Sequence, residues 1–180
     1  MIYILDLAAL ADHSHFNVST RYNRLMWSAM ALAAIVIVGA AGALGVAAIF
    51  GSVEGLAPTL KWAIALGLIG GTLLTLHTAF TIGAHMSPYV GEGPAGSGAR
   101  MAFTGWSIVA GDLRIAHFLA THMIQVLPLV GLAVAHVAPG RIGVTVVVGA
   151  AMAWSAFTLH EHGRALAGKA SPLAVSLSLR

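Results

Sequence analysis

With 180 residues, 58% of them hydrophobic and only 8% charged, and a mean hydropathy of +0.88, the chain lies far from the averages of soluble domains and is short enough for one domain. Its net charge of +3 includes no basic cluster interleaved with aromatics, which argues against a nucleic-acid partner. Cysteine is absent, which removes disulfides, thiolate metal sites and thiol catalysis and leaves the redox compartment open.

The opening residues MIYILDLAALADHSHF place Asp6 inside a short apolar run with no basic region ahead of it, so they do not make a signal peptide. Residues 1–24 are expected to lie along the membrane surface, with His13 and His15 solvated. Four apolar stretches follow at about 25–50, 60–84, 113–137 and 142–160, each near the ~20 residues that cross a bilayer core. The expected fold is all-α: an integral membrane four-helix bundle with an N-terminal interfacial segment, a single membrane domain over 1–180 that ends in a cytoplasmic tail, 161–180.

The first stretch has no ionisable group and carries Gly39, Gly42 and Gly45; the second has Gly67, Gly71 and Thr75 at four-residue steps. Such small-residue stripes let helix backbones approach in a membrane. The second stretch also holds His77, with Gly70 seven positions earlier on nearly the same face, which points to open space beside that imidazole. The connection after it, HMSPYVGEGPAGSGARMAFTGWSIVAGD, is rich in Gly and Pro and offers Tyr89 and Trp106 as interfacial anchors. Gly91, Gly93 and Gly96 spell G-x-G-x-x-G, but that fingerprint requires a strand before and a helix after within a βαβ unit, so no dinucleotide site is expected. Pro139 and Gly140 force a tight turn between the third and fourth stretches, and Gly163 is the expected C′ residue of the fourth.

The stretch that carries chemistry is GDLRIAHFLATHMIQVLPLVGLAVAHV, residues 111–137, with His117, Thr121, His122, Gln125 and His136. Polar and ionisable side chains inside a membrane span are costly and mark function. At about 100° per residue, His122 and His136 return to one stripe with Gln125, Leu129 and Leu132, while His117 sits about 140° away. Measured along the helices, His77 and His122 reach a similar depth, so two facing imidazoles are available to a haem b iron or a metal ion. The cofactor-binding candidates are His77, His122, His117 and Gln125; the metal-ligand candidates are His77, His122, His85 and His160. Asp112, Arg114 and His117 mark the entrance of this helix, with Asp112 placed to cap it.

The thirteen residues between His122 and His136 resemble the histidine spacing on the haem-binding helices of the cytochrome b family. That family has such a pair on each of two helices, whereas fourteen positions back from His77 and His160 stand Ala63 and Val146, so the resemblance implies at most one axial pair. The run GWSIVAGDLRIAHFLATHMIQVLPLVG, with FTIGAHM ahead of it, resembles small bacterial polytopic membrane proteins whose role is not established and which share a GDLRxAHFxxxHxxQxLPLxG-like segment. This second resemblance implies the span arrangement and supplies no activity.

Three functional classes follow. The first is a polytopic inner-membrane protein with a histidine-bearing intramembrane site that binds haem b or a metal for membrane electron transfer. The alternative is an accessory or assembly subunit of a larger membrane complex without its own cofactor, partnered by the lipid bilayer and by other subunits or further copies of itself. The third is an oligomeric transporter or proton conductor. A hydrolytic enzyme is disfavoured and no catalytic residue is assigned, because no carboxylate falls inside the expected spans and no serine or lysine constellation stands out.

Arg21, Arg24, Arg100, Arg114, Arg164, Lys169 and Arg180 fall on one side of the membrane and only Lys61 and Arg141 on the other. This bias places both termini in the cytoplasm of a bacterial inner membrane. A reporter fused after Arg180 is expected to be active if it needs the cytoplasm and silent if it needs the periplasm; the opposite pattern reverses the orientation.

Overall fold

A helix of about 20 or more predominantly apolar residues can cross a bilayer core, and the long helices of this chain meet that requirement. The computed structural model describes residues 17–51, 54–93 and 99–178. Its four long helices are α1 (Arg21–Phe50), α2 (Pro58–His85), α3 (Leu113–Val137) and α4 (Arg141–Leu166), of 30, 28, 25 and 26 residues. At about 1.5 Å per residue each is longer than the ~30 Å hydrocarbon core. The fold is all-α, and all four helices are long and apolar enough to cross a membrane. A short α5 (Pro172–Ser178) and two two-residue strands, β1 (Tyr89–Val90) and β2 (Gly111–Asp112), complete the described elements.

The chain divides into two compact units, residues 1–40 and 41–180. In the first, Thr20 Oγ1 accepts a 3.1 Å hydrogen bond from the Asn23 N–H, satisfying one of the orphan donors at the start of α1. That start is Arg21, four residues ahead of the expected span. Most of the expected surface segment, including His13 and His15, lies outside the described residues.

In the second unit α2, α3 and α4 pack in antiparallel succession, and the tightest seam is α2 on α3. A Cβ added at Gly71 would stand 2.5 Å from Ile124 Cγ1, and one at Gly67 would stand 2.9 Å from Pro128 Cδ. One at Gly131 would collide with the Ala63 side chain. The glycines therefore let two backbones touch where a proline has already removed one helix hydrogen bond, the arrangement that replaces hydrophobic driving force in lipid. Gly42 and Gly45 repeat it against Thr72, Leu68 and Ile69. The open space expected beside Gly70 is not there: Met123 Cε would lie 2.8 Å from an added Cβ, because a flexible methionine fills the gap.

Helix α4 corrects the expected C′ position at Gly163. It runs past His160 and Gly163 to Leu166, because Ala165 continues the buried face. The residue in the left-handed region is Gly168, at φ +71°, and its N–H reaches the Ala165 carbonyl. Residues after α2 fold over this end of the bundle. Tyr89 pairs with Asp112 across β1 and β2, Arg100 bridges Ser107, and Met101 packs with Ile115, Leu119 and Ala174. Gly91 and Gly93 follow β1, which pairs antiparallel with β2, and Gly96 lies outside the described residues.

Gly71→Leu is expected to lower the melting temperature of the detergent-extracted protein by several degrees, since overpacking a close seam costs about 1–3 kcal/mol. Gly149→Leu, where an added side chain meets nothing within 4 Å, should leave it unchanged. Equal melting curves for the two variants would place Gly71 on a lipid face.

Candidate functional site: imidazoles and hydroxyls along α2

Helix α2 carries Thr72, Thr75, Thr78 and Thr81 at three-residue steps. Three residues turn a helix by about 300°, so each hydroxyl falls about 60° behind the previous one and the row winds around the helix. Its partners change accordingly. Thr72 packs at Gly42 of α1, Thr75 Oγ1 donates to Thr121 Oγ1 of α3 at 3.4 Å, and Thr78 Oγ1 shares a 2.9 Å hydrogen bond with His117 Nδ1. Thr81 Oγ1 lies 3.4 Å from His162 Nε2 of α4. The first three threonines are buried, so the row is a polar seam inside an apolar bundle.

The end of this row gathers imidazoles. The His77 and His162 rings meet edge to face, with centroids 4.9 Å apart and planes at 66°. His162 is 4% exposed, and its Nδ1 has no hydrogen-bond partner. The continuation of α4 turns it into the bundle. His85 is exposed and donates through Nδ1 to the Thr81 carbonyl at 2.9 Å, and His160 is exposed. Beside His162, Glu161 is 4% exposed, and no side-chain partner meets its carboxylate among the described residues. Glu161 lies one residue beyond the expected fourth span and within α4, because the helix continues beyond the point where polarity rises.

His122 belongs to a different face. The antiparallel register sets Thr75 on Thr121 and Thr78 on His117, which puts His77 level with Phe118, about one turn from His122. Counting 100° per residue from the face that meets α2, His122 points away from that helix. Its ring stacks on Phe118 at 3.9 Å, Phe118 meets Trp106 at 5.3 Å, and its Nδ1 donates to the Phe118 carbonyl at 2.8 Å. His136 likewise donates to the Leu132 carbonyl at 2.9 Å and is exposed. Within one chain His77 and His122 are therefore not brought together, and the depth match expected from helix length is corrected by the register. A haem between α2 and α3 does not fit either, since the seam that would have to open for it is closed by Gly67, Gly71 and Met123. Among the described residues no three His, Cys, Asp or Glu side chains converge as a metal cage.

The helix-entrance set divides. Asp112 is fully buried; one carboxylate oxygen accepts from Arg114 N at 3.1 Å and Arg114 Nε at 2.9 Å, the other from Ser107 N at 2.9 Å and an Arg114 terminal nitrogen at 2.6 Å. The same guanidinium donates to Tyr89 Oη and the Gly105 carbonyl. Asp112 is thus both the expected cap of α3 and the knot that ties the loop over the bundle, while His117 turns away from it to Thr78. Thr81 and Glu161 were not singled out by the sequence; the three-residue threonine spacing was a usable signal for the first, while burial of Glu161 and His162 depends on where α4 ends.

Comparison of the chain with protein-family models, curated proteins and solved structures finds no match.

Arg114→Ala leaves the Asp112 carboxylate buried without its counterion and is expected to destabilise the protein by on the order of 3 kcal/mol. Arg114→Lys should recover little, because an ammonium cannot reproduce the side-on fork. Thermal melts of the two variants check this; a wild-type melt for Arg114→Ala would show that the knot does not hold the loop.

Proposed function

We propose that the chain is a subunit of a larger assembly in a bacterial inner membrane, with both termini cytoplasmic and its partner covering the outer face of α3. The observation that carries this reading is Gln125, exposed at mid-length of α3. His122, Leu129 and Leu132 share its stripe, and both leucines are exposed. The Gln125 amide nitrogen donates to the Thr121 carbonyl at 3.1 Å, within its own helix. A polar amide facing hydrocarbon is costly, whereas Gln and His are among the side chains that hydrogen-bond between membrane helices. A second copy is the simplest partner, because a glutamine amide both donates and accepts and so complements itself across a two-fold axis.

The basic residues at the His85 and Asp112 end support the cytoplasmic orientation of that end. A haem of the chain's own is not part of this reading, given the closed α2–α3 seam.

Native mass spectrometry after gentle extraction into lipid nanodiscs tests the proposal. The expected species is heavier than the single 18.4 kDa chain, and Gln125→Leu shifts it toward the monomer. A monomer alone, at every protein concentration and in native lipid, would overturn the reading.

A further inference from the structure

We propose that His77 and His162 together bind an exchangeable divalent transition-metal ion of the zinc, copper or nickel class between α2 and α4, with His162 Nδ1 as the buried ligand atom. The proposal is independent of how the chain assembles.

The tautomer of His162 follows from its neighbour. The hydroxyl of Thr81 has a single proton and donates it to the His77 carbonyl at 2.9 Å. Its oxygen is then an acceptor, so the 3.4 Å contact with His162 places the imidazole proton on Nε2. The lone pair is left on Nδ1, the atom that is buried and without a partner. An imidazole whose far N–H is held by a hydroxyl or carbonyl, with the other nitrogen free, is the state in which histidine ligates a metal. Without a ligand, that buried lone pair is an unmet acceptor in a low-dielectric setting.

Separation decides the kind of ion. With a metal–nitrogen distance of about 2.0–2.1 Å, two imidazoles cis on one ion have ring centroids about 4.5 to 5.2 Å apart, from square to tetrahedral geometry. Two imidazoles trans across a haem iron need about 6.4 Å. The observed 4.9 Å falls in the first range. No hydrogen bond ties either nitrogen of the His77 ring among the described residues, so that ring is free to turn toward the ion. Imidazole nitrogen suits zinc, copper(II) and nickel(II). Since no third His, Cys, Asp or Glu joins the pair among the described residues, water or a small external ligand fills the remaining positions. Such an open site exchanges its ion, unlike a closed structural cage.

The test uses the full-length protein in mild detergent, stripped with a chelator and carrying His13→Ala and His15→Ala to remove the N-terminal imidazoles. Copper(II) is titrated with paramagnetic resonance as the readout, and zinc(II) by calorimetry. A single bound ion is expected, with nitrogen hyperfine structure in the copper spectrum. His77→Ala and Thr81→Ala should each weaken binding about tenfold or more, Thr81→Ser should retain it, and His122→Ala should have no effect. His77 is exposed, so its replacement tests the site without disturbing the packing that His162→Ala would disturb. Absence of copper and zinc binding, or equal affinity in His77→Ala and the unsubstituted histidine pair, would overturn the proposal.

Discussion

The backbones of α2 and α3 touch along Gly67, Gly71 and Gly131, and the positions of the polar groups in this bundle depend on that contact. Lipid offers helices no hydrophobic reason to associate, so close van der Waals packing must supply it, and small residues, here mainly glycine, allow the approach. A seam so tight admits a single register. Thr75 then falls on Thr121 and Thr78 on His117, and the next turn of α2 carries Thr81 and His77 to His162 of α4. The same closeness leaves no slot for a macrocycle between these helices and sends His122 to the outer face.

The span count, the helix content and the small-residue stripes were legible in the sequence because each is a local property. Hydropathy over about 20 residues detects a span whatever it packs against. Asp112 as the cap of α3 was legible for the same reason, since a cap needs only its own helix. Partner choice between helices was not. Helix length gave His77 and His122 comparable depths, but depth fixes neither register nor azimuth, and Met123 occupies the space that Gly70 left. The ending of α4 was misplaced because HEH reads as polar, while its burial by α2 and the folded loop is a tertiary fact. Glu161 and His162 were hidden by that error.

Two polar systems with different roles meet at one end of the bundle. Around Asp112, both carboxylate oxygens are matched: they take backbone and guanidinium bonds, and Tyr89 and Gly105 accept from the same arginine. That completeness makes it a structural knot, since a fully satisfied buried network rigidifies and has little left to offer a ligand. Around His162, matching is incomplete. One ring nitrogen is unpartnered, the adjacent Glu161 carboxylate meets no side-chain partner among the described residues, and the His77 ring is untied. Unsatisfied groups of this kind are where a molecule holds or exchanges something.

The chain's lack of cysteine permits a direct measurement of the register on which this account rests. A Thr75→Cys/Thr121→Cys pair, whose native oxygens lie 3.4 Å apart, is expected to form a disulfide readily when oxidised in membranes. Thr75→Cys/Phe118→Cys, displaced by about one turn, should not. Cross-linking of the second pair in preference to the first would contradict the register and with it the meeting of His77 with His162.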